Sequence, residues 1–248
     1  MITLNIQKKK NIIMKSLEFI EILKNSKNSV FTFSQLARIL GKKEEYAKVF
    51  ISRLVEKELL RLERNKYTLK GTNPFLVASN VIFPSYISFI SAYSYYNLTT
   101  QLPRIFFVVS LKQKKSISFD SNLIQFVKFK RFRFFGFKRE ILEGKFVFVA
   151  EVEKAILDSL YLPKYCPISE TFFAMKNAKL NLEKLFKYAK EMKSLAVIKR
   201  LGYLLEISGR DASEIKTSFK NYTLLNPDLP KKGEKNEKWK LIINEVIE

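Results

Sequence analysis

Residues 31–70 confine the first part of this chain to one arrangement, two short helices followed by a two-stranded hairpin. Thr32 and, three residues later, Gln35 have the spacing of a capping box, in which each side chain bonds the other residue's backbone N–H. The helix that starts there puts Leu36, Ile39 and Leu40 on one side and meets Gly41. A second helix over 44–58 repeats Ala47, Phe50, Ile51, Leu54 and Val55 at helical spacing. Leu60/Leu62 and Tyr67/Leu69 then alternate with polar residues around Glu63-Arg64-Asn65-Lys66, the pattern of a hairpin whose turn Asn65 accommodates. Helix, glycine turn, helix and basic hairpin predict a winged helix-turn-helix. That arrangement binds duplex DNA by laying its second helix in the major groove.

Small helical units of this kind also serve protein–protein contact, so charge decides the expectation. Residues 1–73 hold 16 Lys/Arg against 7 Asp/Glu, a net of +9. At about 100° per residue, Tyr46, Val49 and Arg53 point away from the apolar stripe of the second helix and are expected to contact the DNA, with Arg53 facing the major groove. Lys42 and Lys43 stand at its N-terminal end, a suitable phosphate anchor. Arg61, Arg64 and Lys66 decorate the hairpin, beside phosphates. A rotated placement would present Lys48 and Ser52 to the groove and leave Arg53 on the flank.

The rest of the chain is basic as well. Its 248 residues carry a net charge of +21, which favours a polyanion partner over an acidic protein. Residues 71–103 contain no charge at all, and residues 104–145 hold 11 basic against 3 acidic groups. The uncharged stretch is broken by Asn73, Asn80, Ser85, Ser88, Ser91 and Asn97, so it reads as buried chain rather than a membrane span. No secretion signal is visible, and a single cysteine, Cys166, rules out an internal disulfide. A cytoplasmic protein is expected.

Met1–Lys10 reads as a basic N-terminal arm, followed by a helix with the stripe Ile13, Leu17, Ile20 and Leu23. The expected domains are 1–72 and 73–248, with Gly71-Thr72-Asn73-Pro74 as the hinge. Beyond it, helices are expected at 74–78, 86–96 and 152–160, with two more around Leu185 and Leu201. Strands are expected at 105–111, 116–119, 123–130, 145–149 and 239–243. The fold class is therefore α+β, a winged helix-turn-helix followed by a mixed α/β domain.

Catalytic chemistry has little material here. The chain has no histidine, and with seven glycines it offers no phosphate-binding loop. Cys166 sits between Tyr165 and Pro167 with no histidine to activate it and reads as structural. Glu151, Glu153, Lys154 and Asp158 form the one cluster worth weighing. As a metal-dependent nuclease site it would need another acid, and Asp120 is the nearest candidate. As structure, acids in a first helical turn complement the helix dipole. The chain is read as non-enzymatic, without cofactor or metal.

From Lys128 to Arg139, cations interleave with five phenylalanines. Stacking rings beside backbone-binding charges would suit single-stranded nucleic acid. Strand alternation would instead bury the rings and leave the cations in water. Either way Lys128, Lys130, Arg131 and Arg133 are expected to add phosphate contacts.

Several segments together resemble the AbiEi-type antitoxins, the transcriptional regulators of viral-defence operons. They are the predicted winged helix; Tyr86 through Pro103 with the strand at Ile105; Phe134-Phe-Gly136; Glu153-Lys-Ala-Ile-Leu-Asp158 with Leu160-Tyr-Leu-Pro163; and Leu225-Asn-Pro-Asp228 through Asn244. They follow the family's order over nearly the full length. The resemblance implies a DNA-binding N-terminal domain that represses its own operon. It also implies a C-terminal domain acting against a nucleotidyltransferase-like toxin, and makes the Glu153/Asp158 helix a fixture of that domain. Double-stranded operator DNA is the expected partner. A stand-alone regulator without a toxin is the alternative.

Overall fold

The computed structural model describes residues 16–55, 57–216 and 218–247. The predicted basic arm and Ile13 lie outside them. The chain is a mixed α+β fold with two hydrophobic cores.

The first core is built by a helix α1 over 16–25, β1 (Phe31–Thr32), α2 (Phe33–Leu40), α3 (Glu44–Leu54), β2 (Leu59–Glu63) and β3 (Lys66–Leu69). Thr32 and Gln35 close the capping box, the Thr32 N–H donating to Gln35 Oε1 at 2.8 Å. Gly41 ends α2 in the left-handed region at φ 64°, which suits a residue without Cβ. The stripe of α1 is rotated from the expected one: Phe19, Ile20 and Leu23 are buried and Leu17 stands in water. Phe19 wins the inward position because its ring meets Phe50 of α3 edge-on at 5.4 Å. Helix α3 stops at Leu54 rather than at 58, since Val55 is extended and bridges to Leu59. The strands pair in the order β1-β3-β2, with an irregularity between Arg61 and Glu63. That slip breaks the expected Leu60/Leu62 alternation. Leu59 joins the first core and Leu62 the second.

The remaining chain runs α4 (Pro74–Asn80), β4 (Ser85–Ile87), α5 (Phe89–Tyr95), β5 (Ile105–Ser110), β6 (Ile117–Phe119), β7 (Asn122–Lys128), a 3-10 turn at Arg131–Arg133, β8 (Phe137–Leu142) and β9 (Lys145–Ala150). Then come α6 (Val152–Tyr161), α7 (Ile168–Asn177), α8 (Leu182–Glu191), α9 (Leu195–Ile207), β10 (Thr223–Leu224), β11 (Glu234–Asn236) and β12 (Leu241–Ile243). The expected helix over 86–96 is split: Tyr86 and Ile87 pair with Val109 and Val108 as strand, and only Phe89–Tyr95 is helical. Strands β8, β10 and β11 and helix α7 have no counterpart in the expectation. Six strands form a mixed sheet in the order β6-β7-β5-β4-β9-β8, and β10, β12 and β11 a small second one. Successive residues of β4 show its two faces. Ser85 Oγ donates to the Ser79 carbonyl of α4, whereas Tyr86 reaches Asp158 of α6. Helix α6 is the hub, packed by α5, α7, α8 and α9, and it is buried from Glu153 to Leu160. Trp239 lies directly on Gly202 of α9, where a Cβ would fall 2.1 Å from the indole ring. Glycine there costs helix propensity, about 1 kcal/mol relative to alanine, and makes room for the ring.

The two cores share a wall. Thr68 Oγ1 donates to the Ser29 carbonyl at 2.8 Å, and Ser29 Oγ to the Leu76 carbonyl at 3.0 Å. Asn73 caps α4 through the Phe75 N–H and donates to Glu143 at 2.9 Å, so the segment expected as a hinge is anchored on both sides.

Candidate nucleic-acid interface

Helix α3 presents its outer side to water, with Tyr46, Val49, Lys48, Ser52 and Arg53 all exposed. Its two flanks differ. On one, Tyr46 stacks along Phe50 at 6.1 Å, with Arg53 almost two turns further on. On the other, Lys48 and Ser52 face the hairpin across a cleft of about 270 Å³ that is also lined by Phe33, Arg61, Arg64 and Asn65. Asn65 holds this cleft in shape by accepting the Phe33 N–H at 3.1 Å, which ties the hairpin turn to the start of α2. The structure therefore brings Arg61 and Arg64 together with Lys48 and Ser52, and leaves Tyr46 and Arg53 on the flank away from the hairpin. Lys42 and Lys43 are exposed ahead of α3, but the first turn also holds Glu44 and Glu45. Glu44 pairs with Lys48 at 2.9 Å on the surface, a weak and salt-sensitive contact.

Two expected contact residues are engaged elsewhere. Lys66 turns away from the hairpin tip, donates to the Val81 carbonyl at the end of α4 and stands 3.5 Å from Glu63. Arg133 is buried, donating to the Met192 carbonyl at 2.7 Å, the Lys193 carbonyl at 3.1 Å and the Tyr161 hydroxyl at 3.1 Å. A charge so placed is a brace inside the fold. Lys128, Lys130 and Arg131 do stand in water. Parallel pairing of β5 and β7 ends both strands together, Ser110 beside Lys128, so exposed Lys112 and Lys115 share that end of the sheet. Lys114 pairs with Glu63 of β2 at 2.6 Å and brings this loop against the hairpin. The sequence carried the signal for this extension in Lys112-Gln-Lys-Lys115; strand pairing supplied its location.

The phenylalanines between these cations mostly face inward. Phe129 is buried, Phe134, Phe135 and Phe137 pack on the second core, and Phe132 is exposed. The stretch is not one alternating strand but the end of β7, the 3-10 turn and the start of β8.

The acidic cluster is occupied by structural partners. Glu151 accepts from Tyr188 Oη at 2.6 Å and Lys184 Nζ at 3.1 Å. Burial alone would raise its pKa, but these two donors outweigh it and hold the carboxyl below its usual range. Glu153 accepts the Asn181 N–H at 3.0 Å and pairs with Lys184 at 2.9 Å. Asp120 lies in the turn between β6 and β7, and β5 and β4 separate β7 from β9, a lateral offset of at least about 14 Å. Among the described residues no group of three or more His, Cys, Asp or Glu is placed to hold a metal. Lys154 and Asp158, both fully buried, form an ion pair inside the core. Asp158 also accepts from Ser88 at 2.8 Å and Tyr86 at 3.2 Å, while the Lys154 ammonium lies 4.9 Å from the Phe135 ring. Burial depresses the lysine pKa and raises that of the aspartate, each partly offset by the other's charge. Cys166 is buried, and burial pushes its thiol up to about 12, so it stays protonated and unreactive near neutrality.

No protein-family profile and no curated protein matches this sequence. The backbone is similar to the crystal structure of the RV2827C protein from Mycobacterium tuberculosis, with a TM-score of 0.65 over 92% of this chain and 90% of that one. At 12% identity the likeness establishes a shared fold over nearly the whole length. Among the described residues no helix is long and apolar enough to cross a membrane.

Proposed function

We propose that the chain is a non-enzymatic regulator that binds double-stranded operator DNA through an N-terminal winged helix-turn-helix. We further propose that it acts as an AbiEi-like antitoxin that represses its own operon, with a nucleotidyltransferase-like toxin as its functional partner. The cleft where Lys48 and Ser52 of α3 meet Arg61 and Arg64 of the hairpin carries the DNA reading. A helix that lies in a groove beside a wing that follows the backbone needs both cation sets on one side of the unit. Lys112, Lys115, Lys128, Lys130 and Arg131 extend the same sign of charge from the hairpin along the end of the sheet. The antitoxin role rests on the sequence resemblance.

Titration of duplex DNA at several salt concentrations tests the DNA reading. With about 5–8 phosphates engaged, log K should fall against log[salt] with a slope of about −5 to −7. A flat dependence, or no binding at low salt, removes it. The antitoxin role is tested separately, by inspecting the neighbouring reading frames for a nucleotidyltransferase, whose absence favours a stand-alone regulator, and by coexpressing any such enzyme with this chain. Growth that the chain fails to restore sinks that role alone.

A further inference from the structure

A groove of about 730 Å³ is walled by α8, by α9 and by the chain that follows them, and shares no lining residue with the basic surface described above. Its apolar lining comes from Phe186 and Ala189 of α8, Leu195 and Ile198 of α9, and Ile215 and Phe219 of the chain after them. Helical spacing explains the first four: 186 and 189, and 195 and 198, are i,i+3 pairs that share a face. Leu195 is 66% exposed, a large apolar side chain left in water at the rim. The charges at the same groove are nearly all of one sign. Lys190, Lys216 and Lys220 are exposed there against Glu214. A fourth cation, Lys199, is buried, stands 5.2 Å from the Phe219 ring, and donates to the Asn221 carbonyl and to Thr223 Oγ1. An ammonium has three donors, and among the described residues two are used.

We propose that this groove binds an amphipathic organic anion, specifically a medium-chain fatty carboxylate. The hydrocarbon would lie against Phe186, Ala189, Ile198 and Phe219, with the carboxylate among Lys190, Lys199 and Lys220. The volume falls in the range of small-molecule clefts, about 300–1,000 Å³. The one-sided charge selects an anion, and the aromatic and aliphatic lining selects a hydrophobic body over a phosphate or a sugar.

Trp239 is the only tryptophan in the chain, and its ring lies 6.4 Å from that of Phe219, so its fluorescence reports on the groove. Full-length protein is titrated with dodecanoate below its micellar concentration, and in parallel with dodecanol and dodecyltrimethylammonium; calorimetry gives the stoichiometry. Saturable one-to-one binding of dodecanoate is expected, at least about tenfold tighter than of the cationic analogue. The double variant Lys190→Glu/Lys220→Glu should lose about tenfold or more, as should Leu195→Glu at its exposed position. Lys112→Glu/Lys128→Glu changes charge equally on the other surface and should retain affinity within about twofold. Three results overturn the proposal: no saturable binding, equal affinity for the anionic and cationic amphiphiles, or equal loss in the two charge-reversed pairs. DNA takes no part in these readouts, so they stand apart from the regulatory reading.

Discussion

In the unit built on α1, α2, α3 and the hairpin, Lys42, Lys43, Arg53 and Arg64 stand in water. In the chain after Asn73, many cations of the same type are withdrawn to close helix ends. Arg133 donates to the Met192 carbonyl at the end of α8, and Arg200 to the Leu160 carbonyl in the last turn of α6 at 2.6 Å. Arg210 reaches the Met175 and Ala178 carbonyls at the end of α7. Lys145 meets the carbonyls of Lys24, Ser26 and Asn28 behind α1, and Lys66, although it belongs to the hairpin, does the same for α4. Each of these helices ends in carbonyls without intrahelical partners and in the negative end of its dipole, so a cation from a distant segment satisfies both. Charge counted along a sequence is therefore not charge offered to a partner. Part of the +21 of this protein is an internal set of helix caps.

This contrast can be broken most forcefully at the buried pair. Asp158→Ala leaves the Lys154 ammonium uncompensated in the core and should cost about 3–5 kcal/mol of stability by denaturant unfolding. Lys154→Met/Asp158→Leu removes both charges and should recover most of that loss. If the double replacement is as destabilising as the single one, the pair specifies packing and not merely charge balance. A smaller effect separates inward from outward arginines. Arg133→Ala should lose about 2–3 kcal/mol, because three acceptors are left unmet. It should leave the DNA affinity of the folded protein unchanged. Arg61→Ala/Arg64→Ala should leave stability within about 0.5 kcal/mol and make the salt slope of duplex binding shallower by about 2. Exchange of these two outcomes would invert the assignment of the regions.

The finest test concerns the flanks of α3. Lys48→Ala/Ser52→Ala should weaken operator binding by about 1–2 kcal/mol more than binding to a scrambled duplex, since base edges differ between sequences and phosphates do not. Arg53→Ala should lower both affinities little and alike. Competition binding decides between them, and a larger operator-specific loss for Arg53 would place the groove on the flank away from the hairpin.

Local chemistry was legible where neighbours in sequence are neighbours in space. Thr32, Gln35 and Gly41 announce α2, and Phe50, Ile51 and Leu54 announce the buried side of α3, because caps and helical stripes span only a few residues. The same wheel put Tyr46, Val49 and Arg53 in water, where they stand, but it could not tell which flank of α3 lies beside the hairpin, and there Lys48 and Ser52 line the cleft in place of Arg53. Strand β4 was hidden because Tyr86 and Ile87 run directly into a helix, and only pairing with Val108 and Val109 reveals them. Arg133 looked like one more surface cation in a basic run. Nothing in that run names Met192 or Tyr161 as its partners.

The sequence by itself determined the helices and the hairpin of the first unit, though not β1, together with the excess of positive charge and the lack of histidine and of glycine-rich loops. These are properties of composition and of windows a few residues long. Tertiary structure decided which cations face water, which flank of α3 lies beside the hairpin, and that Glu153, Lys154 and Asp158 are buried rather than displayed. It also decided that Gly202 must lack a side chain beneath Trp239. All of these depend on contacts between residues tens of positions apart, where burial and the pairing of donors with acceptors are set by the packed whole. Among the described residues no buried side-chain nitrogen or oxygen is left without a partner, and that balance is met only once the distant segments have come together.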